Sequence, residues 1–106
     1  MIITTASEIP ANEIVEILGV VEGNTIRARN IGRDILAVLK GLIGGEIEEY
    51  TKLLAESREQ ALDRMKAMAA SRGADAVINV RFSTSYIMSN AAEILVYGTA
   101  VKLRKK

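Results

Sequence analysis

The sequence contains no cysteine, no histidine and no tryptophan. Without cysteine it cannot form disulfide bonds, which is typical of proteins from a reducing compartment, and we expect a cytoplasmic protein. Without histidine it cannot build a Ser-His-Asp or Cys-His catalytic set. No carboxylate stands alone in an apolar stretch that would tune its acidity for catalysis. The sequence therefore predicts no catalytic residues, and it assigns no cofactor.

Long apolar runs and a strong charge bias are missing as well. No apolar segment approaches the roughly 18 residues of a membrane-spanning helix, and the first ten residues lack the basic and apolar regions of a signal peptide. The net charge of +1 creates no field that would attract nucleic acid or a membrane. Arg27, Arg29 and the basic tail lack the interleaved aromatic residues of a nucleic-acid surface. We expect neither partner.

A long amphipathic helix dominates the middle of the chain. It is predicted to begin near Glu46 and to end at Arg72, because Gly73 is a typical C-terminal cap. Apolar residues recur along it at spacings of three and four, which is the helical period. The predicted apolar stripe consists of Ile47, Tyr50, Leu54, Ala61, Met65 and Met68. With 106 residues, 49% of them hydrophobic, we expect one folded domain over residues 1–106.

Strands are predicted on both sides of this helix. Residues 2–5 and a run from Asn12 precede a shorter helix at residues 30–45, while residues 24–29 either continue the second strand or fold back as a hairpin. After the long helix, residues 74–88 form a strand and residues 93–103 form the return strand. The residues of the first of these that we expect to face the helix are Ala76, Ile78, Val80 and Phe82. The order β-β-α-α-β-β predicts an α+β domain with an antiparallel sheet and one long helix on one face.

The outer strands carry apolar residues on both faces. In the run from Asn12, Ile14, Leu18 and Val20 share one parity and Val15, Ile17, Gly19 and Val21 share the other. Gly19 within this run indicates a bulge or a close backbone approach. Because one helical layer covers only one sheet face, the other apolar face needs a different partner. A second copy of the chain is the simplest one, and we predict a homo-oligomer.

Several short segments resemble the YbjQ family in their order along the chain. They are Gly44-Gly45-Glu46 with Tyr50, Ser57-Arg58 with Ala61, Arg64-Met65, Gly73-Ala74-Asp75-Ala76 and Tyr97-Gly98-Thr99-Ala100-Val101. The resemblance extends from Thr4 to Val101. It implies a dodecin-subunit-like α+β fold, a cytoplasmic location and assembly into a pentameric ring. The family has no characterised function, and it carries a label of heavy-metal binding.

The heavy-metal label conflicts with the residues present. Heavy metals are soft cations that prefer thiolate and imidazole ligands, and this chain has neither. Its thioethers belong to Met1, Met65, Met68 and Met88. Met65 and Met68 continue the predicted apolar stripe, so core packing explains them better than metal binding. A hard cation could instead bind Glu46 and Glu49 if symmetry brought copies together, although a solvated first helical turn explains these glutamates more simply.

Three other residues are candidates for an inter-subunit contact or a ligand cleft: Arg58, Arg81 and Tyr50. Arg58 falls within the predicted stripe, which is unusual for a residue that only faces water. One interpretation is that it reaches a carboxylate such as Glu46 or Glu49 of a neighbouring copy, and the other is that it lines a cleft. We favour the inter-subunit contact.

These observations predict a ring-forming cytoplasmic protein without enzymatic activity, which binds a small ligand or an ion at its subunit boundaries. One alternative is a metal-binding module that uses carboxylates at those boundaries. Another is an enzyme whose site exists only in the assembled ring.

Overall fold

The computed structural model describes the backbone of residues 1–28, 45–88 and 91–106, and the side chains of residues 1–26, 52–86 and 92–106. The elements are β1 (Ile2–Ile3), β2 (Asn12–Ala28), the helix α1 (Gly45–Ser71), β3 (Ala76–Met88) and β4 (Ala91–Lys105). The α+β class is confirmed. Residues 24–28 continue β2 and do not fold back. The shorter helix predicted for residues 30–45 falls almost wholly outside the described residues.

The four strands form one mixed sheet in the order β1-β3-β4-β2. The prediction of a purely antiparallel sheet was wrong, because β1 runs parallel to β3, with Ile2 opposite Ala76. The reason lies in the segment between β1 and β2, which is not a hairpin turn. It crosses one face of the sheet, where Ile9 is buried against residues of β3 and β4. The two N-terminal strands therefore reach opposite edges of the sheet and do not pair with each other.

Helix α1 packs against the sheet through a narrow stripe of one methionine and three small residues. Every fourth residue is fully buried, in the series Ser57, Ala61, Met65 and Ala69. The helix ends as predicted at Gly73, whose φ of 76° lies in the left-handed region. The amide of Ala74 donates a hydrogen bond to the carbonyl of Ala69 at 3.1 Å, and the amide of Gly73 donates one to the carbonyl of Ala70 at 3.0 Å. This pair of bonds is a Schellman motif, and it satisfies carbonyls that the helix itself leaves free.

The helix and the sheet come unusually close at Gly23 of β2. A Cβ atom at this position would lie 2.1 Å from the carbonyl oxygen of Ala61 and 2.5 Å from the backbone nitrogen of Met65. No side chain fits in that space, so only glycine allows the helix to lie against the strand here. Next to it, the hydroxyl of Thr25 donates a hydrogen bond to the carbonyl of Ser57 at 3.2 Å.

A bulge in β3 changes which of its residues face the helix. Ala76, Ile78, Val80 and Phe82 were expected on that side, but the residues that join the helix-side core are Val77 and Val80. Ala76 and Ile78 lie on the opposite face. The cause is the register shift between Ile78 and Arg81, where Asn79 has a φ of 53°. An extra residue at a bulge shifts the alternation of all residues that follow it.

Candidate functional site

The side of the sheet opposite α1, called the far face below, is covered at one end only. There Ile9 packs against Ala76, Ile78 and Val101, and all four are buried. The rest of the far face along β2 has no covering element among the described residues. Large apolar side chains of β2 are in contact with water on this face.

Four exposed side chains of β2 line the far face. They are Ile14, Ile17, Val20 and Ile26, with exposed fractions of 37%, 69%, 64% and 57%. Their position follows from the register, because Ile17 lies opposite the buried far-face residue Val101, and Val20 lies opposite Thr99, which in turn pairs with Ile78. We call these four residues the apolar row. Uncovered apolar surface of this kind marks an interaction site in soluble proteins.

Two bulges in β2 create the apolar row, and simple alternation did not find it. The sequence places Ile14 and Ile17 on opposite parities, but register shifts occur between Ile14 and Glu16 and between Ile17 and Gly19. Each shift adds one unpaired residue, so Ile14, Ile17 and Val20 come to the same face at a spacing of three. The signal for the second bulge was Gly19, which was predicted as a bulge position and has a φ of 102°. The first bulge has no such signal.

Two polar residues on the same face, Glu22 and Asn24, separate Ile26 from the other three residues of the apolar row. Asn24 donates a side-chain hydrogen bond to the carboxylate of Glu93 at 3.0 Å, which links β2 to β4. Tyr97 lies between Glu22 and Arg81 in the register, and it is 39% exposed. The far face of β2 therefore combines exposed apolar side chains with hydrogen-bonded polar ones, and protein interfaces contain both.

Arg58 is exposed on the surface of α1. Its neighbour Ser57 occupies the buried stripe, while Leu54 is exposed. The premise that Arg58 interrupts the stripe was therefore wrong. Among the described residues, its guanidinium has no hydrogen-bond or ion-pair partner, so its predicted contact with a neighbouring copy stays a prediction.

Arg81 is anchored within its own chain. Its Nη1 atom donates to the carbonyl of Thr5 at 3.1 Å and to that of Val80 at 2.8 Å. It thereby fixes the segment that follows β1 beside the bulge of β3. The structure does not bring Arg58 and Arg81 together. The side chains of Tyr50, Glu46 and Glu49 belong to the first turns of α1 and lie outside the described residues.

A shallow cleft of about 570 Å³ opens where β2 begins. It is lined by Glu8, Ile9, Pro10, Ala11, Asn12, Glu13, Ile14 and Lys106. One of its two side-chain carboxylates, Glu13, is engaged by Arg104, whose Nε donates to Oε1 at 2.7 Å. Glu8 and Lys106 add one side chain of each charge to its lining, and the cleft adjoins the apolar row at Ile14.

The family model described as "Putative heavy-metal-binding" matches residues 1–104. The chain belongs to the YbjQ family. It is 60% identical over 103 residues to a UPF0145 protein of Methanoculleus marisnigri, covering 97% of this chain and 96% of the relative. A UPF0145 protein of Archaeoglobus fulgidus is 60% identical over 104 residues, covering 98% and 96%.

A solved structure also shares the fold. The crystal structure of a DUF74-family protein of unknown function from Pediococcus pentosaceus has a TM-score of 0.68 to this YbjQ-family chain, and 98% of each chain is covered. The sequence identity is 18%, so this similarity concerns the fold alone.

The donor groups of the chain do not fit a soft metal. Cysteine and histidine are absent from the whole sequence, and the thioether of Met65 is fully buried in the core. Among the described side chains, no three Asp, Glu, His or Cys residues come together. Soft cations select sulfur and imidazole ligands, so the described part of one subunit provides no centre for them.

No helix in the described part of the chain is long and apolar enough to cross a membrane.

Proposed function

We propose that the chain is the subunit of a homo-oligomeric ring in the cytoplasm, and that the ring binds a small ligand or an ion at its subunit boundaries. Five copies and a dodecin-like subunit are the form that the YbjQ resemblance implies. The apolar row on the far face is the observation that carries this proposal. It is the surface that a neighbouring copy would bury.

The size of the exposed surface supports association. The exposed fractions in the apolar row add up to about two whole side chains. Burying a Val or Ile side chain completely stabilises by roughly 1.5–3 kcal/mol, so covering the row would contribute about 3–7 kcal/mol per subunit. That gain can offset part of the cost of association, and the polar side chains of Asn24, Glu93 and Glu22 on the same face would add specificity.

The ligand part of the proposal places binding between subunits. Within the described residues of one chain, the cleft beside Ile14 is shallow and its Glu13 is engaged. The guanidinium of Arg58, which has no partner among the described residues, is a group that a neighbouring subunit or a ligand could use. A site assembled from two copies would combine such groups with the polar side chains of the far face.

Multi-angle light scattering on the purified protein tests the assembly. A pentamer of the 11.5 kDa chain has a mass of about 58 kDa. A single species of that mass, constant on dilution to micromolar concentration, is the expected result. A monomer across the whole concentration range would refute the proposal, because the apolar row would then stay exposed.

Metal binding through Glu46 and Glu49 is the alternative that the family description raises. A thermal-shift screen with Ca²⁺, Mg²⁺, Mn²⁺, Zn²⁺, Cu²⁺ and Ni²⁺ tests it. A metal present at 100 times its dissociation constant stabilises the folded state by about 2.7 kcal/mol, which is a shift of several degrees for a chain of this length. The double substitution Glu46→Gln/Glu49→Gln should abolish such a shift. No shift with any metal would reject this alternative.

A further inference from the structure

Strand β2 forms one edge of the sheet and has β4 as its only neighbour among the described residues. It is 17 residues long. The unpaired edge of such a strand is a template on which the strands of other chains can add, and natural proteins interrupt these edges with proline or lysine. Strand β2 contains neither residue. The two bulges of β2 lie between Ile14 and Gly19, so from Val20 onward the strand has no bulge, proline or lysine to interrupt its edge.

Two arginines of α1 reach this edge. Arg72 donates through Nη1 to the carbonyl of Val20 at 2.8 Å, with a longer contact of 3.5 Å to that of Leu18. Arg64 donates through Nη1 to the carbonyl of Asn24. Both arginines are exposed. They bond backbone oxygens of the strand, which are the acceptors that an added strand would use.

The spacing of the two contacts matches between helix and strand. Val20 and Asn24 are four residues apart on β2, which corresponds to about 13 Å. Arg64 and Arg72 are eight residues apart on α1, which corresponds to about 12 Å along the helix axis. Two donors on one helix can therefore cover the middle of the edge at the same time.

Arg64 and Arg72 are not needed to hold α1 against the sheet. The buried stripe from Ser57 to Ala69 and the close contact at Gly23 already hold α1 against β2. Neither Arg64 nor Arg72 has a carboxylate partner among the described residues. A strand approaching this edge would have to displace both guanidinium groups and desolvate their charges, which is costly.

We propose that Arg64 and Arg72 cover the open edge of β2 and prevent strands of other chains from pairing with it. Copies of the protein then associate through the far face of the sheet and not by extension of the sheet at β2. The covering of the edge does not depend on the ring, since it acts equally on a monomer.

The double variant Arg64→Ala/Arg72→Ala tests this role. Circular dichroism checks that the fold is retained, and light scattering with thioflavin T fluorescence follows assembly over a concentration series. We expect the double variant to shift from the discrete wild-type mass to larger assemblies that grow with concentration and bind thioflavin T. The control Lys52→Ala/Lys105→Ala removes the same number of positive charges from exposed side chains that make no described hydrogen bond or ion pair with β2, and it should keep the wild-type mass.

Two outcomes would overturn the proposal. A folded double variant that keeps the wild-type mass at every concentration shows that the edge needs no cover. A double variant that dissociates to a smaller mass shows that the arginines belong to the wild-type interface. If the double variant does not fold, Arg64→Ala and Arg72→Ala are measured singly, and no gain in mass in either refutes the role. The wild-type mass alone tests the ring, so the two proposals can fail separately.

Discussion

A charge in the apolar row should abolish assembly and leave the subunit folded. Ile17 is the most exposed residue of the row, at 69%, so Ile17→Glu removes little packing from the isolated subunit. The cost to the fold is limited to the lower strand preference of glutamate, at most about 1 kcal/mol. At a concentration at which variant and wild type are both monomeric, the circular dichroism spectrum and the melting temperature of the variant should stay close to those of the wild type.

The cost to the interface is much larger. In the assembly, the exposed part of Ile17 would become buried. Replacing this side chain removes about 1–2 kcal/mol of hydrophobic stabilisation per subunit. Placing a carboxylate in the same apolar contact adds a desolvation cost of several kcal/mol. Since about 1.4 kcal/mol is a factor of ten, association should weaken by at least roughly a thousandfold.

Light scattering at micromolar concentration measures the effect. The variant should elute as a monomer of 11.5 kDa, whereas the control Ala67→Glu, which adds the same charge to an exposed helix position, should keep the wild-type mass. A folded Ile17→Glu variant with the wild-type mass would contradict our placement of the interface on the far face.

Three further substitutions test other parts of the structure. Gly23→Ala should destabilise the fold by about 1–3 kcal/mol, because its Cβ would overlap the helix backbone; a melting temperature equal to that of the wild type would show that the helix shifts freely. Thr25→Val should lower the free energy of unfolding in urea by about 1 kcal/mol, since it removes the hydrogen bond to Ser57 at nearly equal side-chain volume. An unchanged unfolding midpoint would show that this bond does not contribute to stability. Arg58→Ala should lower the mass in light scattering if Arg58 contacts a neighbouring copy, and an intact ring would instead favour the ligand-cleft interpretation.

The helix was predictable because its signals are local. Its start near Glu46, its end at Gly73 and the burial of Ala61 and Met65 follow from spacing and capping within consecutive residues. The N-terminal part of the buried stripe was predicted less well, because Ser57 is buried there and Leu54 is exposed. A small polar residue there suits the close approach at Gly23, and that approach depends on a distant strand.

The faces of the strands were not predictable, because bulges change the alternation. The shift at Asn79 exchanged the sides of Val77 and Ile78, and the two shifts in β2 placed Ile14 and Ile17 together. Each bulge is fixed by pairing with a strand far away in sequence. The excess of apolar residues on β2 was visible from the sequence, but the set of residues that forms the apolar row was not.

The parallel position of β1 had the same non-local cause. Its neighbour, β3, lies more than 70 residues away, and the segment that determines the arrangement is anchored by Ile9 and by the contact of Arg81 with Thr5. The sequence did single out Arg81, but as a candidate for an inter-subunit contact or a ligand cleft. It gave no sign that Arg64 and Arg72 reach the edge of β2.

The contact at Gly23 also bears on where this fold can hold a ligand. Along the stretch from Ser57 to Ala69, helix and sheet lie so close that even one methyl group at Gly23 has no room. A small molecule cannot enter between the two layers there without separating them, which would expose the core. Chemical specificity in such a protein has to be built on its outer surfaces, where side chains can change without disturbing the packing of the fold.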